Sequence, residues 1–326
     1  MPQTRWTWAG ALLAGLAATD VAWSAGGEAF TSPAEAGVDF ALQGEYLGEV
    51  GGERWGAQVI ALGEGRFEAV GYEGGLPGAG WTRGRQRVNT AGQLQDGAVR
   101  FQADEHVATL HDGTLRIADS GGAPLGELAK VERQSPTLGK RPPAGAIVLF
   151  DGASAAGFRD GKLVEGDLLG ATGCESLEKL GDHELHIEFR TPFMPTSRGQ
   201  ARGNSGVYIQ SRYECQVLDS FGLEGENNEC GGIYSQVRPA VNMCLPPLAW
   251  QTYDIDFTAA RYDAAGEKIA NARVTIRHNG VPIYQDLELK SSTPGRHEEG
   301  PEPDALFLQD HGNPVAFRNI WVVKKP

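Results

Sequence analysis

The chain has 326 residues, 22% of them charged and 40% hydrophobic, and its 45 glycines favour turns and short strands over long helices. The length is typical of about two domains. The net charge of −13 argues against a nucleic-acid partner, because the sequence has no basic patch to neutralise phosphates.

Residues 1–24 are typical of an export signal. Arg5 precedes an apolar stretch, and Ala22-Trp23-Ser24 provides small residues at the two positions that a signal peptidase recognises. The apolar stretch is short and is interrupted by Asp20, so a cleaved signal is favoured over an uncleaved membrane anchor. We expect an exported protein, periplasmic or extracellular, that begins near Ala25 and has no membrane span after processing.

Residues 39–133 are predicted to form a small β-rich domain of unknown role. Turn signals such as Asp96-Gly97 and Asp112-Gly113 separate its short apolar runs. These runs cover 44–47, 55–62, 66–72, 99–102, 107–110 and 115–117. Three prolines then predict a linker at 134–145, because proline blocks both helix and central strand.

Residues 146–326 are again dominated by strand patterns, and they contain no amphipathic helix longer than about ten residues. His278-Asn279-Gly280 is the strongest short hairpin signal in the chain. The predicted strands cover 146–150, 183–190, 252–257, 272–278, 281–284, 306–309 and 317–323, with a hairpin at 203–219. We therefore predict an all-β protein in which a two-sheet sandwich or jelly roll follows the small domain.

The hairpin at 203–219 has two distinct faces when read with a period of two, on either side of a short turn at Ser211-Arg212. Its apolar side chains point to one face. The opposite face carries Asn204, Tyr208, Glu214 and Gln216, with Asp219 close by. Sugar-binding surfaces use such groups, but a solvated face is an equal alternative.

Two loops carry further candidates. The loop at 219–234 holds four carboxylates, Glu229 among them, and is either a solvated acidic loop or one anchored by its apolar residues. The turn at 309–314 combines Asp310, His311 and Asn313, and a histidine there is either merely exposed or a base, proton donor or metal ligand. Serine hydrolase, zincin and dinucleotide-enzyme motifs are missing.

Four cysteines form an even set that an oxidising compartment would allow to pair. Cys230 and Cys244 flank a segment with two glycines and Pro239 that can fold back on itself, so we predict a disulfide between them. The pairing of Cys174 and Cys215 stays open, and Cys215 lies on the apolar side of its strand. Structural zinc is not favoured, because there is no CxxC.

Seven blocks, in order, resemble the 3-keto-disaccharide hydrolase family, long known as domain of unknown function 1080, over about residues 145–324. The blocks are 149–152 (LFDG), 203–208 (GNSGVY), 213–219, 250–254 (WQTYD), 278–281 (HNGV), 308–313 (LQDHGN) and 317–321 (FRNIW). The resemblance implies a concanavalin-like, jelly-roll β-sandwich that acts on glycosides oxidised at C3. Cys215 departs from the family, in which many members have an aliphatic residue there.

The implied reaction is β-elimination followed by hydration. A ketone at C3 acidifies the proton on C2, a base removes it, the C1 aglycone leaves, and water adds to the product. The route needs a base near C2, an electrophile on the C3 oxygen and an acid for the leaving oxygen. No cofactor is certain, although a divalent metal ion could polarise the ketone.

We expect the acid–base groups to be Glu214 and His311. Hydroxyl-binding groups are expected at Asn204, Tyr208, Gln216 and Asn313, and groups that hold the sugar or a cation at Asp219, Glu229 and Asp310. The alternative is that Glu214 and Asp310 only tie turns to backbone amides.

In either of its two main candidate functions, this domain has a carbohydrate as its small-molecule partner. It is an enzyme, or it is a non-catalytic carbohydrate-binding module at the cell surface, and a structural surface domain is a third reading. An enzyme needs carboxylates or a histidine that converge in a pocket, whereas a binding module presents exposed aromatic platforms. The oligomeric state is not predicted.

Overall fold

The structure, a computed structural model, describes residues 27–103 and 105–326. The predicted export signal lies outside these residues. Among the described residues, no helix is long and apolar enough to cross a membrane. The helical elements of this part of the chain are one short α-helix, α1 (Gly37–Leu42), and one 3-10 turn (Gly199–Ala201).

The first half of the chain forms a barrel. Its strands are β1 (Gly44–Val50), β2 (Glu53–Gly63), β3 (Arg66–Glu73), β4 (Leu76–Pro77), β5 (Gly80–Trp81), β6 (Arg87–Gln95), β7 (Ala98–Gln102), β8 (His106–His111), β9 (Thr114–Asp119) and β10 (Pro124–Val131). Eight of them close in the order β1-β10-β9-β8-β7-β6-β3-β2, and all neighbours are antiparallel. The short strands β4 and β5 pair with each other between β3 and β6.

Asp-Gly pairs turn the barrel strands back on themselves. Asp96 and Asp112 have φ of 50° and 47°, and Gly97 and Gly113 follow at 78° and 70°. Two successive positive φ values define the hairpin turns whose twist matches that of the strands. These turns are the ones that the sequence predicts.

The second half is a two-sheet sandwich. Its strands are β11 (Ile147–Phe150), β12 (Phe158–Arg159), β13 (Leu163–Val164), β14 (Leu168–Gly170), β15 (Cys174–Leu180), β16 (His183–Arg190), β17 (Ser205–Ile209), β18 (Tyr213–Val217), β19 (Gln251–Thr258), β20 (Arg261–Tyr262), β21 (Lys268–Ala270), β22 (Ala272–His278), β23 (Val281–Leu289), β24 (Asp304–Leu308) and β25 (Ala316–Lys324). The larger sheet runs β13-β14-β25-β16-β19-β22-β23, with β11 also paired to β25, and the smaller sheet runs β12-β15-β24-β17-β18. The predicted all-β fold, a jelly-roll sandwich after a small β-rich domain, is confirmed.

Apolar side chains from both sheets form the sandwich core. Ile187 and Phe257 enter it from the larger sheet, and Val207, Cys215 and Leu308 enter it from the smaller one. Each is less than 1% exposed. This inward alternation leaves the other side chains of β17 and β18 on the outer face of the smaller sheet.

The barrel packs on the loops of the sandwich. Ile60, Tyr72 and Trp81 of the barrel form one apolar cluster with Phe221 of the sandwich. The guanidinium of Arg83 donates hydrogen bonds to three backbone carbonyls of the sandwich loops, those of Gly225, Pro239 and Ala240. These contacts fix the barrel against the acidic loop at 219–234.

The predicted Cys230–Cys244 disulfide is not formed, because all four cysteines are buried free thiols. The Sγ of Cys230 lies 3.3 Å from the hydroxyl of Tyr253, and the Sγ of Cys244 donates to the carbonyl of Leu218 at 3.5 Å. Cys230 and Cys244 also hydrogen-bond each other. Burial raises the pKa of Cys244 well above its usual value, whereas at Cys230 burial is outweighed by hydrogen bonds from Cys244 and Tyr253, which lower its pKa.

Candidate active site

The β17–β18 hairpin places a carboxyl beside a phenol. Tyr208 and Glu214 are direct cross-strand partners, and both point to the outer face of the smaller sheet. The hydroxyl of Tyr208 donates a 2.7 Å hydrogen bond to Oε2 of Glu214. Period-two alternation predicts this face, and the cross-strand register adds the direct contact between the two residues.

Burial gives Glu214 an unusual proton affinity. Its side chain is 2% exposed, and this burial raises the pKa of Glu214 from 4.5 to about 7, against a lowering by the hydrogen bond from Tyr208. Burial also raises the pKa of Tyr208 far above its usual value, so its hydroxyl stays protonated and donates. A carboxyl with a pKa near neutrality can both accept and return a proton.

The segment 291–300 covers this pair. The backbone N–H of Glu214 donates to Oγ1 of Thr293 at 2.9 Å, and the Tyr208 hydroxyl lies 3.4 Å from the carbonyl of Pro294. At Gly295, φ is +103°, and a Cβ would lie 3.0 Å from the Tyr208 oxygen. Glycine at this position therefore lets the covering segment approach the phenol closely.

Aromatic and charged groups surround the phenol. Phe307 meets the Tyr208 ring edge-on at 5.5 Å, and the Arg296 guanidinium lies 3.8 Å from the centre of the Phe307 ring. Arg296 is held there by an ion pair with Glu175. The amide of Gln309 donates to the Tyr208 hydroxyl at 3.3 Å. The 309–314 turn thus borders the pair, and Arg296 is a site residue that the sequence did not single out.

An amide cluster lies on the same sheet face. The Nδ2 of Asn204 and the Nε2 of Gln216 both donate to Oε1 of Gln200, at 3.1 and 3.0 Å. Asn313 accepts a 2.7 Å bond from the backbone N–H of Asn204. The Oδ1 of Asn204 is buried and accepts no hydrogen bond from the described residues. It is therefore available to a ligand hydroxyl.

The three carboxylates expected to hold a sugar or a cation lie in three different settings. Asp219 is paired with Arg202 at 2.6 Å, with both side chains buried. Glu229 accepts backbone bonds from Gly225 and Glu226 at 2.6 and 3.0 Å. Asp310 is exposed and accepts from the N–H of Gly312 at 2.9 Å. Among the described residues, no group of three or more His, Cys, Asp and Glu is arranged to hold a metal ion.

His311 is half-exposed in the turn between Asp310 and Asn313. That turn is joined to the hairpin by the bond from Asn204 to Asn313 and by a 2.9 Å backbone bond from Gln309 to Gly206. His311 therefore belongs to the border of the site. The side chain that contacts Glu214 directly is Tyr208.

A second polar cluster lies on the larger sheet, beside a cleft of about 630 Å³. Glu188 there receives bonds of 2.7 Å from Arg318, 2.8 Å from Asn319 and 2.6 Å from the N–H of Gly139 in the linker. Burial opposes ionisation, but hydrogen bonds from His186, Asn319 and Arg318 lower the pKa of Glu188 to about 2. Glu188 is thus a permanent anion that ties the linker to the sheet, whereas Glu214 suits proton transfer.

The fold is a jelly-roll β-sandwich with a buried carboxyl–phenol pair, Glu214 and Tyr208, on the outer face of one sheet. Residues 145–323 match the 3-keto-alpha-glucoside-1,2-lyase-like domain, and the chain belongs to that family. This match confirms the resemblance found in the sequence blocks.

Two solved structures from Parabacteroides distasonis ATCC 8503, both of candidate glycosyl hydrolases, are similar to the chain. One is 30% identical with a TM-score of 0.52, and the match covers 56% of this chain and 85% of that one. The other is 17% identical with a TM-score of 0.42, and it covers 56% of this chain and 95% of that one. No functionally curated protein matches the chain.

Proposed function

We propose that the chain is an enzyme that cleaves 3-keto-glycosides by abstraction of the C2 proton, elimination of the C1 substituent and hydration. The family match and the 30% identical solved structure, itself of a candidate glycosyl hydrolase, support action on a glycoside. The observation that carries the proposed chemistry is the Glu214 carboxyl, with its pKa of about 7 and its bond to Tyr208.

In this scheme the Glu214 carboxylate removes the C2 proton, which the C3 ketone has made acidic. The C2–H electron pair forms an enolate with its charge on O3. Collapse of the enolate restores the ketone, forms the C1–C2 double bond and breaks the bond from C1 to the aglycone oxygen. His311 is the proposed donor of a proton to that oxygen, and water then adds across the double bond to give the free 3-keto sugar.

Neighbouring groups support these steps. Tyr208 orients the carboxylate through its one O–H. Once Glu214 has taken the C2 proton, that O–H, which the high pKa of Tyr208 keeps protonated, can donate to the negative charge that develops on the substrate. The buried Oδ1 of Asn204 suits a sugar hydroxyl, since it lacks a partner among the described residues. In the hydration, the protonated Glu214 returns its proton to C2 while water adds at C1, and His311, which has given up its proton to the leaving oxygen, takes the proton that the water loses.

The surface argues for the enzyme over the carbohydrate-binding module. The large hydrophobic side chains that are exposed in the described residues are all aliphatic: Val38, Val148, Leu163, Leu177, Leu223 and Ile269. A binding module of the aromatic-platform type would expose tryptophan or tyrosine instead. Saturable sugar binding without product would favour the module.

The first test is turnover of 3-keto-trehalose, 3-keto-sucrose and a 3-keto-aryl-glucoside, with the unoxidised glycosides as controls. We expect aglycone release from at least one keto substrate, and a kcat/KM that rises with pH through about 7 as Glu214 ionises. Glu214→Gln should lower kcat about a hundredfold or more and abolish that pH dependence. Tyr208→Phe, which removes a bond that lowers the pKa of Glu214, should move the profile to higher pH.

The matched control is Glu184→Gln, the same change at an exposed position of β16 on the other sheet. It should leave turnover unchanged. Folded Glu214→Gln protein with near wild-type turnover would move the base to another residue.

We also propose that the enzyme works outside the cytoplasm, because Ala22-Trp23-Ser24 has the pattern that a signal peptidase recognises. Intact-mass measurement of protein from an exporting host should show a chain that begins near Ala25. A mass that retains residues 1–20 would contradict this proposal.

A further inference from the structure

The barrel encloses a cavity of about 450 Å³ that the proposed reaction does not use. One end of the barrel is filled by Val59, Phe67 and Leu110, which are almost fully buried. That end is closed from outside by Phe193, which packs against Phe40 of α1 at 5.3 Å between ring centres. The cavity therefore occupies the opposite half of the barrel.

The sequence of the strands explains where the space lies. Along β3 the inward positions decrease in size from Phe67 through Ala69 to Gly71. Ala57 on β2 and Ala108 on β8 continue this small lining. Small side chains leave a void because the closed eight-stranded barrel cannot collapse to fill it.

The cavity opens to solvent between the loops at 50–53, 73–87 and 119–124, and Ala103 and His106 also line it. Ala108 and Ile117 line it and point inward, yet both are partly exposed. The carboxylates of Glu53 and Glu73 lie at the opening, and Trp55 lines the wall beneath them. The lining is therefore mainly apolar, with Gln86, Thr90 and His106 as further polar residues, and the carboxylates at the entrance are those of Glu53 and Glu73.

We propose that this cavity is a binding site for a small, mainly apolar molecule, neutral or cationic, with a hydroxyl or amino group at one end. An eight-stranded barrel has room for one small ligand and none for a polypeptide. The volume is within the range of small-molecule sites, which are mostly apolar with a few polar groups. The two carboxylates accept hydrogen bonds from the polar end of the ligand and repel anions. The barrel lies outside the family match at 145–323, so this site is independent of the proposed reaction.

Two fluorescent probes that share one aromatic skeleton test the proposal on the full chain. N-phenyl-1-naphthylamine is neutral and has an N–H donor, and 8-anilino-1-naphthalenesulfonate adds an anionic group to the same rings. We expect one equivalent of the neutral probe to bind, with at least tenfold weaker binding of the sulfonate. The double variant Glu53→Gln, Glu73→Gln should show a smaller difference in affinity between the neutral probe and the sulfonate.

Cavity-filling variants locate the probe. Ala108→Leu places a larger side chain in the cavity, and Ala91→Leu is the matched control because Ala91 is exposed on β6. Ala108→Leu should weaken binding of the neutral probe at least tenfold, and Ala91→Leu should not change it. If Ala108→Leu does not fold, Gly71→Val replaces it, since a Cβ at Gly71 has its nearest contact at 3.7 Å, with Trp55. Absence of saturable binding, or equal binding to folded filled variants, would overturn the proposal.

Discussion

At the scale of single residues, environment decides what a buried glutamate can do. Glu188 and Glu214 are 0% and 2% exposed. Glu188 accepts bonds from Arg318, Asn319 and a backbone amide, which hold its pKa at about 2. Glu214 receives one bond from a neutral phenol among the described side chains, and its pKa is about 7. The hydrogen-bond donors around a buried carboxyl, more than its depth of burial, therefore decide whether it stays ionised, as Glu188 does, or has a pKa near neutrality, as Glu214 does.

The raised pKa of Glu214 predicts a pH-dependent stability. Below pH 4.5 the carboxyl is protonated in both the folded and the unfolded chain. Between pH 4.5 and about 7 the folded chain keeps the proton that the unfolded chain loses, so the free energy of unfolding falls as pH rises. The total loss should be about 3 kcal/mol. The free energy of unfolding of Glu214→Gln should not fall in this way. Between pH 4.5 and 7.5 the wild type should therefore lose about 3 kcal/mol of stability relative to the variant.

Chemical denaturation at several pH values measures this difference. Glu184→Gln, at an exposed position, provides the control and should follow the wild type throughout. A constant difference between wild type and Glu214→Gln across this range would show that Glu214 ionises normally.

At the scale of elements, the sequence predicted the faces of the hairpin better than its turn. Alternation correctly put Glu214 and Gln216 on one face of β18. A two-residue turn at Ser211-Arg212 would pair Gln210 with Tyr213. The structure instead pairs Ile209 with Tyr213 and leaves three residues in the loop, with φ of 52° at Gln210 and 51° at Ser211.

The odd loop length follows from the two faces. A two-residue loop would have placed an outward side chain opposite an inward one, and that is not compatible with one buried face. The three-residue loop brings Tyr208 opposite Glu214. The contact between these two residues depends on the strand register. The alternation of side chains limits the possible registers, but it does not by itself identify the one that the hairpin adopts.

At the scale of the whole molecule, the interface between barrel and sandwich explains Asp219. Its partner Arg202 also donates to the carbonyl of Ala61 on β2, and Arg202 and Asp219 are 5% and 3% exposed. From its place beside Glu214 at the start of the acidic loop, the sequence suggested that Asp219 holds a sugar or a cation. The position of this ion pair at the domain interface could not be predicted from the sequence, because the contact of Arg202 with Ala61 joins positions 141 residues apart.

The buried pair predicts a large effect of Asp219→Asn on stability. The substitution removes the anion and leaves the Arg202 guanidinium buried among carbonyls, which should lower the free energy of unfolding by about 3–5 kcal/mol. The matched control is Glu226→Gln, because Glu226 pairs with Arg238 on the surface, where the side chains are 48% and 57% exposed. That change should lower the free energy of unfolding by about 1 kcal/mol or less.

Thermal and denaturant unfolding of both variants measure these effects. Replacement of both Arg202 and Asp219 by leucine should recover part of the loss, since no unpaired charge then stays buried. An unchanged melting temperature in Asp219→Asn, together with lost binding of a 3-keto-glycoside, would instead return Asp219 to the role of a sugar ligand. A lowered melting temperature with unchanged substrate affinity in the folded fraction would assign Asp219 to the domain interface.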